Sequence, residues 1–234
     1  MKDYIRLNII TEGETEEAFV NRLLKPYLET RYTLEVSAKS VGGLLKYQPL
    51  KKGIQFWMKA DRHNPNCRYT SMVDLYAFPK DDQSPYTLDI QSENDPYQRV
   101  ARLEASLKAD INSNLFIPYV QLHEFETLIL VDPNVLRIPF PNYSENVINR
   151  LKTDIRFNEK GFNPELINGG QHSAPSKRII KFIPHYQSIG KGNKHQGAIS
   201  ALEAIGFNKM RTACQHFNQW LNILEGLASP LQNN

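Results

Sequence analysis

The start of the chain combines a buried-strand pattern with an amphipathic helix pattern. The strand pattern, Tyr4 to Ile10 (YIRLNII), ends in a fully apolar run, and apolar pairs then recur every four residues. Strands that end this way are typical of parallel sheets buried on both faces. The pattern predicts a strand at its start and a helix over about residues 14–29, with a kink at Pro26.

The same pairing of strand and helix signals recurs three times before residue 132. Further strands are expected near residues 33–38, 69–78 and 115–122, and further helices near 50–60, 95–112 and 123–131. This order predicts an α/β fold with a mainly parallel four-stranded sheet flanked by helices. Strand signals then stop, so we expect an α/β core over residues 1–131 and a helical C-terminal extension over 132–234.

Composition narrows the class of protein. A chain of 234 residues that is 41% hydrophobic is large enough for one sizeable core. Its apolar runs fall far short of the roughly 20 residues that span a bilayer, and its first residues lack a signal-peptide pattern, so we expect a cytoplasmic protein. Because Cys67 and Cys214 form no CxxC pair, neither a disulfide framework nor a zinc site is indicated.

Charge is distributed unevenly, although the net charge is only +3. Between Asp74 and Asp95 acids outnumber bases six to one, whereas between Gln171 and Arg211 bases outnumber acids seven to one. Two solvated surfaces of opposite sign explain this pattern, and so does an acidic site combined with a basic surface for nucleic acid.

Acidic side chains follow three of the four predicted strands. Glu12 and Glu16 come after the first strand, Asp74 ends the third, and Glu124 and Glu126 follow the fourth. In open α/β sheets ligands bind beyond the carboxyl ends of the strands, so we expect these acids at one edge. Oxygen ligands suit Mg²⁺ or Mn²⁺. The sequence therefore indicates a metal-dependent site for phosphoryl transfer.

Each acid taken alone also has a structural explanation. The helix dipole favours acids in a first turn, as for Glu16. Asp74 suits a turn or cap, and Glu124 suits a helix start. The convergence of several acids favours a shared cation, because neighbouring carboxylates repel unless they bind protons or a metal.

Basic side chains in the C-terminal part are candidates for holding a nucleic-acid backbone. Lys177 and Arg178 follow a proline-serine pair at which a helix is expected to start, and such a start can bind phosphate. A purely structural role for these two residues is an equal alternative. The same part of the chain contributes Lys181, Lys194 and Arg211.

Five stretches together resemble an uncharacterised TOPRIM-like family of unknown function. They are IITEGETEEAF, MVDLYAFP, PYVQLHEFETLIL, PSKRI and CQHFNQWL, so the resemblance covers most of the chain. That family is similar to the TOPRIM nuclease half of the OLD (overcoming lysogenization defect) proteins. Its members are commonly encoded beside an ABC-type ATPase in phage-defence settings.

The resemblance implies a set of metal ligands. In TOPRIM domains a glutamate after the first strand and an Asp-x-Asp after a later strand hold Mg²⁺. Glu12 matches the glutamate, with Glu16 as the accompanying acid, and Asp74 matches the first aspartate. Tyr76 stands where the second aspartate is expected.

The missing ligand has several possible replacements. Asp81 or Asp82 could supply it from the long segment between residues 79 and 96, and Glu124 or Glu126 could supply it from beyond the fourth strand. Otherwise a single cation binds. The segment itself is too long for an ordinary connection and is expected to be functional or partly disordered.

Two functions from different classes follow. The first is a Mg²⁺- or Mn²⁺-dependent nuclease for DNA or RNA, the effector of a phage-defence system with an ABC-type ATPase partner. In it Glu12, Asp74 and Glu124 hold the metal, and Glu16 and Glu126 complete the catalytic set. The second is a catalytically weak TOPRIM-like binding module that docks on the ATPase.

Overall fold

The computed structural model describes residues 4–43, 46–167, 173–188 and 194–231, apart from the side chains of residues 187, 188, 194 and 195. The chain divides into two compact units. The first unit comprises Met1–Gln121 and Trp220–Asn234, and the second comprises Leu122–Gln219. Spatial grouping does not test independent folding, so the expected core over 1–131 and extension over 132–234 stay a prediction.

Strands and helices alternate in the first unit. The strands are β1 (Ile5–Thr11), β2 (Leu34–Ser40), β3 (Cys67–Asp74), β4 (Phe116–Ile117) and β5 (Val120–Gln121). The helices are α1 (Glu14–Phe19), a π-helical turn (Val20–Leu24), α2 (Lys25–Glu29), α3 (Tyr47–Ala60), α4 (Leu88–Gln91) and α5 (Pro96–Ile111).

The sheet is parallel, with the order β2-β1-β3-β4, and β5 also pairs with β3. Thr11 lies opposite both Ser40 and Met72, so the carboxyl ends of the three long strands meet at one edge. The expected α/β fold with a mainly parallel sheet is confirmed. Its fourth strand is split into β4 and β5 around Pro118, which has no N–H to donate to a ladder.

The helical run that follows β1 contains a local widening. The π-helical turn joins α1 to α2 directly, so the run is continuous from Glu14 to Glu29. In a regular helix the ring of Pro26 would clash with the carbonyl oxygen four residues earlier. The wider turn lies directly before the proline, at the place where the kink is expected.

The segment between residues 79 and 96 has a defined conformation. The hydroxyl of Ser84 donates to the carbonyl of Pro79 at 2.5 Å. The side-chain amide of Gln91 donates to the carbonyl of Tyr86 at 2.7 Å. These short-range bonds fold the segment back on itself around α4.

The C-terminal end of the chain packs into the first unit. The ring of Trp220 stacks on that of Tyr119, with 4.3 Å between centroids and 13° between planes. Its indole N–H donates to the hydroxyl of Thr70 at 2.9 Å. A buried tryptophan with a satisfied N–H contributes a large apolar contact without a polar penalty.

The second unit is helical in its described residues. It contains 3₁₀ segments at Phe125–Val131, Pro133–Arg137 and Pro164–Leu166, and the helices α6 (Glu145–Asp154), α7 (Pro175–Phe182), α8 (His185–Ser188), α9 (Lys194–Ala213) and the start of α10 (Gln215–Glu225). Gly206 interrupts α9 with φ 72° and ψ 156°, a conformation open to glycine. The expected C-terminal helices are confirmed. Within the described ranges, none of the helices has the length and apolarity needed to cross a membrane.

Candidate metal site at the strand ends

The structure brings Glu12 and Asp74 together at the carboxyl edge of the sheet. The backbone N–H of Asp74 donates to Oε2 of Glu12 at 3.1 Å. Because the carboxyl of Asp74 is attached through Cα to that same nitrogen, the two acids are neighbours. Both residues are half-buried.

Backbone hydrogen bonds fix the position of Glu12. Its carbonyl oxygen accepts from the N–H of Gly43 at 2.8 Å and from the hydroxyl of Ser40 at 3.2 Å. Gly42 and Gly43 have φ values of 77° and 100°, which favour glycine. The turn after β2 therefore holds the turn after β1.

Glu16 has a structural partner in the same turn. Its Oε2 accepts from the backbone N–H of Gly13 at 3.0 Å, and the residue is buried. An acid in this place satisfies an N–H at the helix start and interacts favourably with the helix dipole. A Cβ at position 13 would lie 3.1 Å from that oxygen, a tight contact that glycine avoids. The expected catalytic role of Glu16 stays a prediction.

Asp81 caps the start of α3. Its Oδ2 accepts from the N–H of Tyr47 at 2.8 Å, and its Oδ1 accepts from the N–H of Gln83 at 3.1 Å. For Asp81 to replace the missing second aspartate, these bonds would have to break. Asp82 is exposed.

Two further expected site residues, Glu124 and Glu126, belong to the second unit. The N–H of Ser176 at the start of α7 donates to Oε2 of Glu124 at 2.8 Å. The buried carboxyl of Glu126 accepts from the hydroxyl of Tyr186 at 3.1 Å. The sequence predicts that the start of α7 could bind phosphate. In the structure the carboxylate of Glu124 accepts a backbone N–H there instead. The metal role of Glu124 and the catalytic role of Glu126 stay predictions.

Two of the expected nucleic-acid contacts bind an acid within the second unit. Arg178 Nη1 lies 2.8 Å from Oδ2 of Asp154, and Lys181 Nζ lies 2.5 Å from Oδ1. Burial raises the pKa of the Asp154 carboxyl, but hydrogen bonds from Lys181 and Arg178 outweigh it and leave the pKa below its ordinary value. Arg178 also donates to the carbonyl of Ser173 at 2.9 Å.

The other expected contacts differ in exposure. Lys177 is exposed, whereas Arg211 is half-buried and donates from Nε to Asn218 at 2.8 Å. The side chain of Lys194 lies outside the described residues. A nucleic-acid role for all five bases stays a prediction.

Glu165 is a buried acid absent from the sequence-derived candidates. It is fully buried, and its two oxygens accept from the N–H groups of His216 at 3.0 Å and Phe217 at 3.1 Å, where α10 begins. About fifty residues separate Glu165 from these partners, so no local sequence pattern predicts the contact. Burial raises the pKa of the neighbouring Cys214 thiol.

The donor set at the strand ends fits a hard cation. Among the described residues, no three His, Cys, Asp or Glu side chains are grouped as a metal cage. Mg²⁺ does not require such a cage, since one or two carboxylates hold it together with water and substrate phosphate. Glu12 and Asp74 would be that pair, and their role as metal ligands stays a prediction.

The fold and the site define an α/β protein whose parallel sheet carries paired acids at its carboxyl edge. The family described as Domain of unknown function (DUF4276) matches residues 11–225, and the chain belongs to that family. Membership of an uncharacterised family is thus confirmed, while its TOPRIM-like character stays a prediction.

Comparison with solved structures and with curated proteins adds two findings. The chain is similar to the C-terminal region of the Xanthomonas campestris pv. campestris OLD protein, with 14% sequence identity and a TM-score of 0.41. The similarity covers 94% of this chain and 95% of that one. No curated protein matches the chain.

Proposed function

We propose that the chain is a Mg²⁺- or Mn²⁺-dependent nuclease that hydrolyses phosphodiester bonds at the Glu12–Asp74 pair. The observation that supports this function is the contact between the two residues, 3.1 Å from Asp74 N to Glu12 Oε2, at the carboxyl edge of a parallel sheet. Ligands of open α/β sheets bind at that edge.

The two carboxylates have a common role in this proposal. Glu12 and Asp74 hold the cation, and water and phosphate oxygens of the substrate complete its shell. When bound, the cation neutralises phosphate charge and activates water as a nucleophile. The chain's contribution is to hold both residues: Gly43 and Ser40 bind the backbone carbonyl of Glu12, the N–H of Asp74 binds the Glu12 carboxylate, and the end of β3 carries Asp74.

A binding module that docks on an ABC-type ATPase is the second candidate. The hydrogen bonds that engage Glu16, Asp81 and Glu124 favour it. Two-cation phosphoryl transfer needs several carboxylates at one place, and each acid used as a cap reduces that supply.

Metal binding and cleavage by matched variants test the nuclease proposal. The purified chain is incubated with labelled DNA and RNA in Mn²⁺ or in EDTA, alone and with the candidate ATPase and ATP. Glu12→Gln and Asp74→Asn should abolish cleavage and reduce Mn²⁺ binding in isothermal titration calorimetry. Both variants keep the side-chain shape, so their urea midpoints should match the wild type. Glu14→Gln, an exposed acid of the same turn, is the control and should cut normally.

Two outcomes would overturn the nuclease proposal. One is cleavage by Glu12→Gln at the wild-type rate, which would place the site elsewhere. The other is the absence of cleavage of DNA and RNA with every divalent cation, with and without the ATPase. In that case the binding module becomes the better account.

A further inference from the structure

A groove of about 480 Å³ lies in the first unit between α3 and the ends of β1 and β2. Its volume falls in the range of small-molecule sites, roughly 300–1,000 Å³. The lining combines apolar, aromatic and basic side chains, chiefly Ile10, Val41, Phe56, Trp57, Lys39 and Lys52.

Aromatic and basic side chains are adjacent in this groove. Phe56 is 65% exposed although it lies on a helix that buries its opposite face. Lys52 precedes it by four residues and so shares its side of α3. The ammonium of Lys39 lies 5.9 Å from the centroid of the Phe56 ring. An aromatic face flanked by two cations suits a flat, π-rich group that is bonded to anions.

The groove adjoins the Glu12–Asp74 pair. Ile10 lines the groove two residues before Glu12. Ser40 lines it as well, and its hydroxyl donates to the carbonyl of Glu12 at 3.2 Å. The groove therefore borders the backbone turn that carries Glu12.

Helix α3 is a fixed platform for such a ligand. Asp81 accepts the N–H of Tyr47 at its start, and the hydroxyl of Tyr47 donates to Oδ2 of Asp110 at 2.5 Å. Lys51 Nζ contacts the other oxygen of Asp110 at 3.0 Å. An aromatic side chain on an anchored helix loses little further freedom when it binds a ligand.

We propose that this groove binds an unpaired nucleobase of a polynucleotide strand. Phe56 and Trp57 stack on the base, and Lys39 and Lys52 contact the adjacent phosphates. The proposal rests on the nuclease function and names single-stranded nucleic acid as the substrate class. Stacking on aromatic side chains is tolerant of sequence. A base within a duplex presents no free face unless it is flipped out, so single strands bind better.

Anisotropy of short labelled oligonucleotides in EDTA tests the groove without cleavage. Single-stranded DNA and RNA of one sequence should both bind, and their duplex should bind more weakly. Phe56→Ala should weaken single-strand binding by about 5- to 100-fold. Lys52→Ala should lower the slope of log affinity against log salt by about 0.7. A mononucleotide should compete only at far higher concentration than the oligonucleotide.

A groove-filling variant and two controls sharpen the test. A Cβ at Gly53 would lie 3.5 Å from Val41 and 3.8 Å from Ile10, so Gly53→Leu places its side chain against the groove lining and should block binding. Tyr4→Ala removes another exposed aromatic, and Lys59→Ala removes an exposed charge of α3 outside the groove lining. Both controls should bind as the wild type does.

The failure of this proposal is distinguishable from that of the nuclease function. Unchanged binding in Phe56→Ala and Gly53→Leu overturns the groove, even if Glu12→Gln abolishes cleavage. Equal affinity for duplex and single strand, or for a mononucleotide and an oligonucleotide, also overturns it. If the chain binds single strands through the groove but cleaves neither DNA nor RNA, the groove proposal stands and the nuclease proposal fails.

Discussion

Both units use carboxylates as caps, and the first unit also carries a pair of neighbouring acids at its strand ends. In the second, Glu124 and Glu165 accept backbone N–H groups at helix starts, and Asp154 binds two basic side chains. In the first, Glu12 and Asp74 lie side by side at the strand ends. Capping acids stabilise the fold, whereas adjacent acids repel and persist where they serve another purpose. A stability measurement therefore separates the two kinds of acid.

The largest effect is expected from Glu165→Ala. Removing this carboxylate leaves the N–H groups of His216 and Phe217 buried without their acceptor. Each such group costs about 1–3 kcal/mol, so the free energy of unfolding should fall by about 3 kcal/mol or more. Urea denaturation followed by circular dichroism measures the loss.

Two companion variants make the Glu165 test specific. Glu165→Gln keeps one oxygen acceptor and nearly the same volume, so it should fall between alanine and the wild type. Glu159→Ala removes an exposed acid paired with the exposed Arg156 and should leave the urea midpoint close to that of the wild type. If Glu165→Ala unfolds at the wild-type midpoint, the buried cap does not stabilise the unit.

A smaller fall in the free energy of unfolding is expected from Glu124→Ala, which removes the acceptor for the N–H of Ser176 at the start of α7. Losing one helix cap costs about 1 kcal/mol. Glu124→Gln keeps an oxygen acceptor and should retain most of the stability in urea denaturation. If Glu124 is instead a metal ligand, the glutamine variant loses Mn²⁺ binding while it keeps its stability. The same pair of variants thus tests the structural and the functional role.

The parallel sheet could be predicted from sequence because its signals are local. The run from Ile5 to Thr11 buries the apolar side chains of Leu7, Ile9 and Ile10, and the helix pattern begins shortly after it. In a parallel sheet the carboxyl ends of the strands lie at the same edge. Residues that follow different strands, such as Glu12 and Asp74, could therefore be assigned to that edge. The split at Pro118 was not predicted, although proline removes the ladder donor there.

The use of each acid could not be predicted, because the partners are distant in the chain. Glu124 and Ser176 lie 52 residues apart, and local sequence gives no sign that they meet. The groove residues also escaped prediction. The sequence shows that Lys52 and Phe56 are four residues apart and so share one side of a helix. It does not show that Lys39 of β2 lies beside the Phe56 ring, and the groove depends on that contact.

The smallest effect is expected for Asp154, and it should depend on pH. The pKa of its carboxyl is lower in the folded chain than its ordinary value, so the ionised form is stabilised by folding. This contribution is present above the unfolded pKa of about 3.9 and is lost as pH falls through the folded pKa. The stability difference between wild type and Asp154→Asn should be about 0.5 kcal/mol at pH 7, because Lys181 is exposed, and it should shrink below about pH 4.

The control for Asp154 is a second aspartate outside such a network. Asp82 is exposed, and the stability difference between wild type and Asp82→Asn should stay near zero from pH 7 to acid. A difference for Asp154→Asn that does not change with pH would mean that Lys181 and Arg178 do not favour its ionised form.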